Sequence, residues 1–151
     1  MIPPEVSTFL IAMSPLVELR GSIPVALLVY ELPPWSAYFF SVAGNLVPVL
    51  LIPFWGVMAD WFSHRVYWCD RLFAWLFAKT RRDHSEKILR FRDLALAILV
   101  AIPLPLTGVW TASLVAFVFG IPFFRAFVSI AVGTLVAGLI VLVLSMGALT
   151  I

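Results

Sequence analysis

Glu18 and Arg20 stand two residues apart inside an apolar stretch that runs Pro15-Leu-Val-Glu-Leu-Arg-Gly-Ser-Ile-Pro24. Placing an ionised side chain at the centre of a bilayer costs about 2.5 to 3.5 kcal/mol on insertion scales, so two together require a reason. A guanidinium is a planar donor fork that suits phosphate or carboxylate. A neighbouring carboxyl can pair with it, exchange a proton as its exposure changes, or compete for it when an anion leaves. The plainer alternative is that the pair stitches the chain to itself. A second stretch, Pro103-Leu-Pro105-Leu-Thr107-Gly108-Val-Trp110, carries the same punctuation without the charges. Ser22 ahead of Pro24, and Thr107 ahead of Gly108, are each placed to cap a helix starting there. Helix N-termini carry partial positive charge and free amides, so two of them with Arg20 would form a seat for an anion. The expected substrate-binding set is Glu18, Arg20, Gly21, Ser22, Pro105, Thr107 and Gly108, joined by Asn45 and Thr134. These last two lie roughly ten to twelve residues into their spans, near mid-bilayer at 1.5 Å per residue, where each can bond a tip. Asn45 ranks higher, because a buried amide has more bonds to satisfy.

The elements that position these residues follow from composition. Of 151 residues, 63% are hydrophobic and 12% charged, with mean hydropathy +1.08, which implies an integral membrane protein with no room for a soluble catalytic domain. Four apolar blocks run over 6–30, 35–59, 94–119 and 123–149. Between the second and third lies a connector, 60–93, holding eight of the ten Lys and Arg residues with Trp61, Tyr67, Trp68, Trp75 and Phe77 among them. That pattern predicts an amphipathic interfacial helix on the cytoplasmic side of the plasma (inner) membrane, acting chiefly as an orienting anchor against lipid headgroups. The chain start, Met1-Ile-Pro-Pro-Glu5, lacks the basic region of a signal peptide.

Sliding the chain along itself pairs Pro15 with Pro103, Gly21 with Gly108, Pro33 with Pro122, and Gly44-Asn-Leu-Val47 with Gly133-Thr-Leu-Val136. Four punctuation points in register argue for duplication. Each unit reads as half-helix, break, half-helix, Pro turn, full span: 6–14 with 22–30 then 35–59, and 94–102 with 109–119 then 123–149. Half-helices of that length rise only about 14 to 17 Å, half of a hydrocarbon core, and fit re-entrant hairpins. A hairpin returns to its own side and the next span crosses, so the two units would be inverted and their tips would meet in mid-bilayer. The rival is four complete spans kinked by proline, which makes the repeats parallel. The fold class expected is therefore an all-α integral membrane protein forming one domain over 1–151: repeat one 5–59, connector 60–93, repeat two 94–151.

Other chemistry finds little support. His64 and His84 lack metal-ligand spacing, Cys69 stands alone, and there is no Gly-rich phosphate loop or serine–histidine–carboxylate set. No enzyme activity, cofactor, metal or nucleic-acid partner is expected. Small-residue faces such as Gly133-x4-Gly138 permit helix association, and so few spans hardly enclose a pathway alone, so a homo-oligomer, with a dimer favoured, is expected.

The motifs Pro15-x-x-Glu18-Leu-Arg20-Gly21-x-Ile-Pro24, Gly44-Asn45 and Ile102-Pro-Leu-Pro105-x-Thr107-Gly108-x-Trp110 resemble the small multidrug export protein family of short prokaryotic membrane proteins. That family is similar, more distantly, to DedA-type (VTT-domain) proteins, whose inverted hairpin-plus-span repeats are implicated in moving lipid-linked phosphates. The resemblance implies a charged first-hairpin site at Glu18 and Arg20, while the second hairpin lacks the arginine usual in DedA-type proteins. The functional expectation is a small secondary-type transporter that moves an anionic or amphipathic substrate, a lipid-linked phosphate being one candidate, by alternating access between the hairpins. The alternative is a proton-coupled exporter of cationic compounds with Glu18 as the binding carboxylate.

Overall fold

The computed structural model describes residues 2–63, 86–102 and 108–149, and all regular structure among the described residues is helical. Two helical stretches, Pro34–Val57 and Phe123–Ala148, are long and apolar enough to cross a membrane by length and composition, as expected of the second and fourth blocks. Two shorter apolar helices, Pro4–Met13 and Val109–Val118, fall in the first and third blocks.

The chain opens with α1 (Pro4–Met13), which starts on a proline whose fixed φ suits the first helical turn and ends where Ser14 turns extended. After the break comes α2 (Glu18–Leu28), then α3 (Pro34–Leu46), again begun by a proline behind an extended Pro33. Val47–Leu51 winds as a 3-10 turn and leads into α4 (Ile52–Ser63). Two prolines explain that tightening. Pro48 cannot donate to the Gly44 carbonyl, nor Pro53 to that of Val49, and the preceding amides of Val47 and Ile52 serve those carbonyls instead. The second half comprises α5 (Glu86–Ala101), α6 (Val109–Val118) and α7 (Phe123–Leu149), the last an unbroken 27-residue helix without proline.

α1 and α2 pack against each other, and both pack against α3. In the second half α5 and α6 pack against each other and against α7, and α6 also touches the 3-10 turn and α4. α7 meets α2 and α3, which joins the halves. One apolar core gathers Val49, Leu96, Val109, Ala116 and Ile130; another gathers Leu19, Ile23, Val42, Ala137 and Val141. The outer face of α7 presents a stripe at helical spacing, Val128, Val132, Leu135, Leu139 and Val143, each about half exposed, the surface that a lipid environment covers.

Three packing details recur in the register that pairs Gly44 with Gly133. A side chain on Gly44 would strike the backbone carbonyl of Phe9 and the Ala12 side chain; one on Gly133 would strike the carbonyl of Ala97 and the Val100 side chain. Glycine thus lets α1 reach α3, and α5 reach α7, at backbone contact. The turn before each span also repeats. Glu31 and Gly120 both adopt left-handed φ, 51° and 64°, two residues ahead of Pro33 and Pro122. The first amide bond closing each following helix recurs too, Ala37 to the Pro33 carbonyl and Ala126 to that of Pro122.

Two expected boundaries are corrected. The first helix of the second half starts at Glu86 rather than Leu94, because Glu86 to Asp93 holds no breaker and the polar residues simply continue the helix. In the first half α2 starts at Glu18 rather than Ser22, as described next. The interfacial helix expected over the connector falls largely on residues 64–85, outside the described residues.

Candidate functional site

The break between α1 and α2 aims a carboxylate at the other half of the molecule. Glu18 begins α2 with φ 51°, a left-handed conformation that costs a non-glycine residue about 1 to 2 kcal/mol. Its side chain, 5% exposed, lies against Gly108, the N-cap of α6. Gly108 has no side chain to cap that helix, and the Glu18 carboxylate does so across the interface by accepting the backbone N–H of Trp110. A Cβ at Gly108 would overlap both carboxylate oxygens, so only glycine leaves room for this capping. Trp110 ties the same junction a second time, its indole N–H donating to the carbonyl of Met13 at the end of α1 (3.1 Å). Both broken stretches therefore meet at one point.

Arg20 completes the cluster. Its guanidinium bonds the Glu18 carboxylate, Nη2 to Oε2 at 3.1 Å, while its own side chain stays 23% exposed. The exposed side borders a groove of about 470 Å³ between α2 and α7, walled by Pro24, Leu28, Val141, Leu144 and Ala148 with the Ser145 side chain. The site is thus a net-neutral pair, buried on the Glu18 side and open to an apolar trough on the Arg20 side.

The other expected residues divide. Gly21 lies inside α2, where a Cβ would strike Val17, and serves the tight turn at the break. Ser22 is fully buried but does not cap a helix: its hydroxyl donates to the Leu19 carbonyl (3.4 Å) and the helix already runs through it. Proline favours a first turn, yet Pro24 sits inside α2, as the seventh residue of that helix, where its ring removes the amide that would bond the Arg20 carbonyl. Thr134 is fully buried, and its hydroxyl donates to Ile130 of its own helix (2.8 Å) rather than to a tip. Asn45 and Ser41, four residues apart on one face of α3, are fully buried, and neither the Asn45 amide nor the Ser41 hydroxyl has a hydrogen-bond partner in the structure. Pro105 and Thr107 lie outside the described residues.

A family model described as "putative small multi-drug export protein" matches residues 18–140, beginning at Glu18 itself and taking in the first long apolar helix, the second break and the larger part of the second long apolar helix. The chain belongs to this family. It is thereby a membrane protein of small multidrug export type. No curated protein and no solved structure matches the chain, and the more distant likeness to DedA-type proteins rests on the quoted motifs alone.

Trp110 and the Met13 carbonyl were missed as site groups. Trp110 closes the second motif, and an indole N–H in an apolar stretch needs an acceptor, which was a usable signal; nothing in the sequence points to a particular carbonyl. Also missed was the ion pair of Arg125 with Asp93, at 2.8 and 2.6 Å, which fastens the start of α7 to the middle of α5.

Proposed function

We propose that this member of the family is a small secondary-type transporter that exposes an anionic or amphipathic substrate alternately to the two sides of the plasma membrane. The observation that carries the reading is the buried Glu18–Arg20 pair set where the two broken stretches meet, beside an apolar groove. A buried ion pair is weak as a source of stability, since desolvating the charges offsets their attraction. Its position at a junction between halves gives it a use instead: each partner can be released to a ligand or to the other half.

In this reading α1 with α2, and α5 with α6, are re-entrant hairpins. Support comes from each pair packing side by side on the same span, and from α1, α2 and α6 being too short, at about 15 to 17 Å, to cross a hydrocarbon core alone. The units are inverted, with the connector 60–93 cytoplasmic. Arg20 holds the negative group, a lipid-linked phosphate being one candidate, and Glu18 acts as counter-charge or proton switch. The subunit works as a homo-oligomer, a dimer first, in contact with membrane lipids. No cofactor, metal or catalytic step enters this account.

The family description together with a buried carboxylate favours one second reading, proton-coupled export of cationic compounds bound by Glu18. Transport into proteoliposomes separates the two. Arg20→Gln abolishes uptake of an alkyl phosphate, and Glu18→Gln shifts its pH dependence, if the anion reading holds; export of a quaternary ammonium dye that survives Arg20→Gln and fails in Glu18→Gln would contradict it.

A further inference from the structure

Glu18 is held by the groups an incoming anion would use. Its carboxylate takes one donor of the Arg20 fork and one amide at the start of α6, and Gly108 is shaped around it. The Arg20 fork has five donors, and its exposed side faces the groove. Among the other described cations, Arg125 is already committed to Asp93.

Resting on the transporter reading, we propose that Glu18 is a built-in competitor: its carboxylate occupies the place of the substrate's anionic group, so a ligand seated on Arg20 must displace Glu18 from Arg20 and from the α6 N-terminus. The class of ligand follows from the groove. One guanidinium at the end of an otherwise apolar trough complements an amphiphile with a single compact anionic head and one hydrocarbon chain, the head on Arg20 and the chain along Leu28, Val141, Leu144 and Ala148. Displacement has a structural consequence. The α6 N-terminus loses its cap, Glu18 is freed from its left-handed backbone, and one tie between the breaks opens while, among the described residues, that of Trp110 to Met13 stays. Binding is thereby coupled to parting of the halves, with Glu18 returning when the ligand leaves. Glu18 then sets affinity rather than supplying it.

The test is binding of dodecyl phosphate to the purified full chain in nanodiscs, with inorganic phosphate and dodecyltrimethylammonium as comparison probes. Glu18→Gln should bind dodecyl phosphate at least about tenfold tighter than the wild type, and Arg20→Gln should lose binding. Phosphate alone should bind far more weakly, and the ammonium should not gain from Glu18→Gln. Equal or weaker binding in a Glu18→Gln protein of unchanged helix content overturns the proposal, as does a wild type that binds inorganic phosphate as tightly as the amphiphile. If that variant does not fold, infrared difference spectra of the wild type decide: saturating dodecyl phosphate should shift a carboxylate band that the Arg20→Gln protein does not shift, and an unshifted spectrum overturns the proposal. The transporter reading fails separately, when Arg20→Gln leaves proteoliposome transport intact.

Discussion

The two halves of the molecule use one scaffold and put their ion pairs at opposite ends of it. In the second half Asp93, midway along α5, pairs with Arg125 at the start of α7, both partly exposed, and the span α7 runs unbroken. In the first half the corresponding outer positions are Glu5 and Ser36, and the pair sits instead at the break, as Glu18 and Arg20, beside a span interrupted by the 3-10 turn at Val47–Leu51. A pair at an outer end closes a clamp. One at the break, buried and shared with the other half, is a contact whose release would change how the halves meet. The second half is thus braced on its span, and in the proposed transporter the first is the responsive one.

The largest effect should come from separating the buried pair. Arg20→Gln leaves Glu18 buried without its cation and should destabilise by about 3 kcal/mol or more, whereas Glu18→Gln with Arg20→Gln together should recover much of that loss. Thermal unfolding of helix content in detergent checks both. Asp93→Asn in the other half, at a partly exposed pair, should cost under about 1 kcal/mol, and an equal loss from the two pairs would break the contrast.

Next come the glycines. Gly44→Val and Gly133→Val should each cost about 1 to 3 kcal/mol by driving a side chain into a facing carbonyl, and the two values should agree within a factor of about two if the halves share the device. The same unfolding assay reads this. Gly108→Ala should cost less, about 1 kcal/mol, the worth of an N-cap, since it pushes the Glu18 carboxylate off the Trp110 amide. Its signature is a changed Trp110 indole and amide environment by NMR.

The scaffold was largely legible and the junction only half so. Gly44, Gly133, Pro33 and Pro122 announced the spans and the repeated turns because glycine contacts and proline starts are local devices that the sequence carries openly. Glu18 and Arg20 stood out by cost alone. What was not legible is tertiary: the carboxylate of Glu18 capping a helix at Trp110, in the other half of the chain, leaves no local pattern, whereas Ser22 and Thr107 present the local one. Ser22 does not cap because proline's preference for a first turn is only a tendency, and α2 carries Pro24 in its interior. Thr134 matched Asn45 in register but was satisfied by its own helix, as hydroxyls commonly are.

The smallest expected effect restores symmetry. Glu31→Gly gives the first turn the residue that Gly120 supplies in the second, and should stabilise by about 0.5 to 1 kcal/mol by relieving left-handed strain. No gain would mean that the two turns are alike in shape only.

The central claim, that the two breaks reach the same point from opposite sides of the bilayer, is tested most directly by the sidedness of those two matching turns. Single cysteines replace Glu31 or Pro122 in a Cys69→Ser background, and intact cells are treated with an impermeant thiol reagent. The account predicts that position 31 reacts and position 122 reacts only after the membrane is opened; reaction of both in intact cells would mean four parallel crossings and would contradict it.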